Sequence, residues 1–309
     1  MKSLSSFFSF LAALLLLTSH SLQACACGCG IFDVGTLWNM PTKSGGMIYT
    51  SYSFSSQSQN WNNMGPSAAA NNNDRLIQTS WTTYGAQYFF NRSWGVELQV
   101  PTANRLFYRS SDSGTPATIN ASWYTLGDIR LMGYYTGFSP DMSSGFQFGV
   151  KLPTGNWKEY GVDRDTQIGT GSTDLLLGYY THHDITRDGK WSWFAQSVLD
   201  LPVFIQAGYR PGLEVDSAIG IYNNGIRLGK AHIQPLAQML VSNRASDSGP
   251  TASNPQASGY QRILLSPGFQ IDIHPIRIYA DAELPVFNDV VGQQLISQCL
   301  VKVNLSYMF

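Results

Sequence analysis

The chain has 309 residues, 19 basic and 20 acidic, with 43% hydrophobic but only 13% charged residues. Charge this sparse and balanced, with no basic block, argues against a nucleic-acid partner and stands at about half the level usual in soluble domains. Beyond the amino terminus no second long apolar run occurs, so apolar surface has to be delivered in another pattern. A transmembrane barrel does this, because each strand contributes apolar residues only at alternate positions.

Lys2 precedes a mostly apolar run from Phe7 to Leu17, followed by Thr18-Ser19-His20 and Leu22-Gln23-Ala24. This is the layout of a secretory signal peptide, and the run is shorter than the roughly 20 residues of a spanning helix. Residues 1–24 are therefore read as a leader. Its loss leaves 18 basic against 20 acidic residues, net −2. Leu22-Gln23-Ala24-Cys25 also resembles a lipoprotein processing box, with Gln23 out of pattern, which keeps lipidation of Cys25 open.

Residues 25–45 start with Cys25-Ala26-Cys27-Gly28-Cys29 and are expected in the periplasm or folded up into a lumen as a plug. About twelve segments of period-2 character follow within 46–309: 46–56, 76–90, 94–106, 123–137, 144–153, 171–183, 190–203, 213–223, 230–243, 260–273, 276–287 and 295–309. In several the faces are plain. Trp94, Val96, Leu98 and Val100 alternate with Glu97 and Gln99, and Phe146, Phe148, Val150 and Leu152 alternate with Gln147 and Lys151. Such a strand has one face for lipid and one for a polar interior.

Connections alternate between long and short along the chain, and the long ones, such as Asn71-Asn72-Asn73-Asp74 and Ser246-Asp247-Ser248-Gly249-Pro250, are polar. Outer-membrane barrels pair long external loops with short periplasmic turns. Aromatics gather at the short-turn ends: Tyr88, Phe89, Phe90, Trp94, Tyr134, Tyr135, Phe138, Tyr179, Tyr180, Trp191 and Trp193, with Tyr307 and Phe309. They are expected to form an interfacial girdle. The last strand puts Val301, Val303, Leu305, Tyr307 and Phe309 on one face. A terminal aromatic in that position resembles the signal by which the barrel assembly machinery recognises its client. The fold expected is a single all-β, antiparallel transmembrane barrel in the outer membrane of a Gram-negative bacterium, with lipid as its surroundings.

Gly149-Val150-Lys151-Leu152-Pro153-Thr154-Gly155, then Gly169-Thr170-Gly171-Ser172-Thr173-Asp174 and Leu177-Gly178-Tyr179-Tyr180, resemble the outer-membrane channel family named after the meta-pathway of phenol degradation. Leu126-Gly127-Asp128-Ile129-Arg130-Leu131 and Leu265-Ser266-Pro267-Gly268 are also similar to it, so the likeness runs from about 94 to 309. It implies a transporter that passes small, hydrophobic or aromatic solutes across the outer membrane. The cysteine-rich start is not part of that pattern.

Polar-face charges are the candidate lumen lining: Glu97, Asp128, Arg130, Lys151, Asp174, Glu214, Asp216, Arg262, Asp272, Arg277, Asp281, Glu283 and Lys302. Both signs occur, so cross-lumen pairing that stiffens the interior competes with charge selectivity. Cys25, Cys27 and Cys29 could hold a soft metal ion, against disulfide formation or lipidation of Cys25. That supports an alternative in which the barrel anchors a metal or redox centre. Cys299 shares parity with Val301 and is expected to face lipid, away from the cluster. No histidine has a serine two positions on, and neither catalysis nor a cofactor in the pore is expected.

Overall fold

The computed structural model describes residues 44–69, 72–110 and 118–309. The leader at 1–24, Cys25, Cys27, Cys29 and the segment up to residue 43 lie outside the described residues.

The described residues form strands β1 (Gly45–Asn63), β2 (Gly65–Pro66), β3 (Asp74–Phe89), β4 (Trp94–Ser110), β5 (Thr118–Leu126), β6 (Ile129–Tyr135), β7 (Ser144–Leu152), β8 (Ser172–Asp184), β9 (Trp191–Ile205), β10 (Glu214–Asn223), β11 (Ile226–Leu228), β12 (Ala231–Arg244), β13 (Tyr260–Ile273) and β14 (Ile276–Met308). Neighbours pair antiparallel, β1 lies against β14, and β10 pairs with β12 to close the ring. β14 supplies two staves: it pairs with β13 as far as Val290 and with β1 from there on. Gly292, at φ +69°, lies where the chain turns back, and the amide of Met308 returns to the carbonyl of Pro275 at 2.9 Å. β5 and β6 share one stave, both paired to β4. With β2 and β11 as short ribbons at the rims, the wall has twelve staves, one for each period-2 segment of the sequence.

Alternation explains the two faces. Val96, Leu98, Phe146, Phe148, Val301, Val303 and Leu305 are exposed on the outer wall, while Glu97, Gln147, Lys151, Lys302, Asn304 and Ser306 are buried inside. Polar side chains in and apolar side chains out is the inverse of a soluble sandwich, and it suits a wall set in lipid. Cys299 is exposed, as its parity requires.

Two expectations need correction. The strands beside the loops are longer than alternation indicates: β1 runs to Asn63, β4 to Ser110, and β3 starts at Asp74. The extension of β1, Gln57–Asn63, is Gln-, Ser- and Asn-rich and carries no apolar period, while those of β3 (Asp74 and Arg75) and β4 (Phe107–Ser110) are too short to show one. The long polar connections after the first and third strands are therefore partly strand. The girdle is also thinner than the sequence suggests, because Phe89, Tyr134 and Tyr180 are buried inside the barrel. They share the parity of Gln87, Met132 and Leu176, and residues adjacent in a strand cannot all face outward. What remains outside is continuous: Tyr135 stacks on Trp94 (4.7 Å between centroids), Phe138 packs on both Tyr135 and Phe146, and Tyr179 follows at 5.4 Å from Phe146.

Candidate functional site

A twelve-stave barrel is too wide for wall side chains alone to fill, since eight staves already enclose just enough room for them. The interior is organised in two tiers. Toward the short-turn rim lies an apolar cluster that includes Met47, Phe89, Met132, Tyr180, Phe194, Leu240 and Tyr279. Glu97 stands within it as a hydrogen-bond hub. It accepts from Tyr49 Oη (2.5 Å), from Gln99 Nε2 (3.1 Å) and from the hydroxyl of Tyr134. A carboxylate only 1% exposed is tolerable there because its lone pairs are met by donors.

Toward the loop rim the register builds a belt of charge. Gln99, Arg130, Lys151 and Asp174 are successive cross-strand partners on β4, β6, β7 and β8. Asp200, Glu214 and Arg244 are successive partners on β9, β10 and β12. Directly opposed like charges are unfavourable, and the belt holds two such pairs, Arg130 with Lys151 and Asp200 with Glu214. Lys151 relieves both: its ammonium meets Asp174 and reaches across to Asp200 at 2.7 Å. Glu214 accepts from Tyr260 Oη at 2.7 Å and Ser242 Oγ at 3.1 Å. The belt bounds a cavity of about 170 Å3, into which Tyr49, Trp81, Pro101 and Tyr209 also face.

The roof of this cavity is the connection between β7 and β8, residues 153–171, which folds inward. Asp128, in the break between β5 and β6, grips both ends of it. Its carboxylate accepts from the amide of Gly155 (2.9 Å), the amide of Thr170 (2.8 Å) and Thr170 Oγ1 (2.6 Å). Thr154 Oγ1 closes the other side of the neck, donating to Gly127 O and accepting from Ile129 N, each at 2.9 Å. At this point the two limbs touch: a Cβ on Gly155 would lie 2.7 Å from the Cα of Gly169, so only glycines fit. Three of the glycine-rich motifs in the sequence thus meet at one place.

Beyond the neck the loop braces itself. The Gln167 side chain accepts from Glu159 N at 2.8 Å and donates to Glu159 O and Val162 O. On one side the loop lies against the wall: Arg105 donates to Thr166 O (2.5 Å) and Thr79 Oγ1 (2.9 Å), Arg109 pairs with Asp163 at 2.7 Å, and Ile168 is buried with Ile77, Phe107 and Trp123. On the other side Arg164 lies over Tyr209 at 4.2 Å, and its amide donates to Ser253 Oγ at 2.8 Å. Burial pushes the Tyr209 phenol well above its ordinary range, with the Asp247 carboxylate adding to the shift against Arg244. Tyr209 therefore remains a donor to Asp247 Oδ2 at 2.8 Å.

The sequence-derived candidates all lie inside the barrel or at its inner rim. Asp128, Arg130, Lys151, Asp174, Glu214 and Lys302 line the cavity. Lys302 pairs with Glu283 at 3.4 Å, Asp281 accepts from Ser266 Oγ at 2.6 Å, and Arg277 pairs with Asp272 at 2.6 Å. Arg262 stacks over Tyr260, Asp216 neighbours Glu214 on β10, and Glu97 sits in the lower hub. Asp200, Arg105 and Arg164 were not among the candidates. Arg105 carries the parity of Glu97, and extending that face past residue 104 finds it. Among the described residues no group of three or more His, Cys, Asp or Glu side chains is arranged to hold a metal. The Cys25, Cys27 and Cys29 cluster lies outside them.

No protein-family model and no curated protein matches the sequence. In three dimensions the chain is similar to an outer membrane channel from Pseudomonas putida F1, with a TM-score of 0.65 at 10% identity over 90% of this chain and all of that one. The chain has an outer-membrane barrel fold. The β-domain of the Bordetella autotransporter BrkA is also similar, with a TM-score of 0.50 at 12% identity over 86% of this chain and all of that one.

Proposed function

We propose that this protein is an outer-membrane channel that passes small, hydrophobic or aromatic solutes through its lumen. The observation that carries the reading is the pairing of an apolar, aromatic-belted outer wall with a charged inner belt around a cavity of about 170 Å3. That is close to the roughly 150 Å3 of a cavity known to take one benzene. Tyr49, Trp81, Pro101 and Tyr209 offer flat apolar surface to such a ring, while the Lys151 belt offers polar groups. The likeness to the Pseudomonas putida channel and the motif resemblance to the phenol meta-pathway family point the same way.

Residues 25–45 are proposed as a plug or periplasmic extension, and Phe309 as the contact for the assembly machinery. Single-channel recording in planar bilayers, with liposome uptake of single-ring aromatics against disaccharides, tests the reading. The expected result is conductance, preferential uptake of the single-ring solutes, and larger current steps once residues 25–45 are removed. Silence in both forms, with no uptake, would leave a barrel with an occluded lumen.

A further inference from the structure

We propose that residues 153–171 are a hinged gate over the cavity, fixed at the neck by Asp128 and latched by Arg164, and that release of the latch regulates entry. The proposal rests on the channel reading for its consequence, and on the loop's own contacts for its mechanics.

Three features of the loop carry it. The neck is fixed: three hydrogen bonds to Asp128, and the Gly169 amide donating to Asn156 O at 2.9 Å beside the close Gly155–Gly169 approach, hold its limbs together. The body is a unit: Gln167 ties Glu159 and Val162 together, and Asn156 Nδ2 donates to Glu159 at 2.9 Å. The body's contacts with the two sides of the barrel differ in kind. Against β4 it has two arginines, one in a salt bridge, and a buried isoleucine. Against the connections after β9 and β12 it has the Arg164–Tyr209 stack and the bond to Ser253. A swing of this body away from β9 and β10, over Asp200 and Glu214, would have to break the stack on Tyr209 and the bond to Ser253.

A cation–π stack and one hydrogen bond are small enough to be broken by thermal motion and large enough to keep the gate mostly shut. Tyr209 and Ser253 belong to other connections, so altering them leaves the bonds of Arg164 to Gly169 O and Thr170 O inside the loop intact.

The test uses the full chain in lipid nanodiscs and in planar bilayers. Tyr209→Leu combined with Ser253→Ala should speed amide hydrogen exchange across residues 157–168 about tenfold, the order expected for loss of two such contacts. Exchange at Gly155 and Thr170 should stay slow, and conducting events should become more frequent. A second variant works in the opposite sense. Arg164→Cys with Ser253→Cys puts cysteines at the two positions joined by the Arg164 N–Ser253 Oγ hydrogen bond of 2.8 Å, and oxidation should slow exchange in the loop and reduce conductance, with recovery on reduction. The unaltered protein under the same oxidant controls for its own cysteines. Unchanged exchange over 157–168, or equal acceleration of the neck, would overturn the gate. Faster exchange at the tip with no current in any form would uphold the hinge and sink the channel reading instead.

Discussion

Lys151 lies 8% exposed between Asp174 and Asp200. Removing one partner of a buried ion pair leaves the other charge uncompensated, which costs about 3–5 kcal/mol. Lys151→Met therefore leaves two carboxylates without their shared cation, and it should lower the denaturant midpoint of the reconstituted barrel by an amount of that order. Lys151→Met with Asp174→Asn and Asp200→Asn removes the charges together and should recover most of the loss. If all of these proteins unfold alike, the trio is not a stabilising contact. Asp128 offers a second case. Asp128→Ala strips acceptors from three donors at the loop neck, so exchange at Gly155 and Thr170 should accelerate while the β4 ladder stays protected. Parity made Lys151, Asp174 and Asp128 visible in the sequence, since each shares a face with other polar residues. Asp200 was hidden because Val198, Leu199, Leu201 and Val203 surround it with apolar residues on both faces. Arg164 was hidden because a loop has no period to read.

At the scale of an element, the connection 153–171 marks the limit of local reading. Its glycines are recognisable as turn signals, yet nothing in their spacing says that the limbs on either side of the loop meet at Gly127 and Asp128. The meeting depends on β5 and β6 being interrupted, and Leu126-Gly127-Asp128 causes that interruption. Gly155→Val would place a branched side chain against the backbone of Gly169, so the neck has to open. Overpacking of this kind costs about 1–3 kcal/mol, and the lost closure should appear as faster exchange along 155–170 and a larger unitary current. Gly161→Ala is the control at the tip, where a Cβ meets nothing, although its φ of +76° carries a local strain. The extended tops of β1, β3 and β4 were missed for a related reason. In Gln57–Asn63 both faces of β1 carry mostly polar residues, and at the ends of β3 and β4 only two and four residues are added, so alternation gives no signal although the hydrogen-bond ladder continues.

At the scale of the molecule, the twelve staves were legible because wall strands repeat one simple constraint, apolar outside and polar inside, along their middle lengths. Closure adds a constraint that no single strand contains: β14 must find β1, across nearly the whole chain. The last rung of that seam is reciprocal, with the Gly46 amide donating to Phe309 O at 2.8 Å and the Phe309 amide donating to Gly46 O at 2.9 Å. The ring of Phe309 lies over Gly46, where a Cβ would come within 2.3 Å of it, yet it is 66% exposed. Its backbone therefore serves closure, while most of its side chain remains free for something else. Phe309→Ala keeps both rungs, so refolding of purified chain into detergent micelles should reach nearly the wild-type yield, read by heat-modifiable mobility on gels. If recognition by the assembly machinery depends on the ring, the same substitution should lower the folded fraction in cell membranes severalfold, and Phe309→Trp should restore it. Equal losses in the micelle and in the cell would place the ring's contribution in the seam itself, and equal yields in both would remove it from assembly altogether.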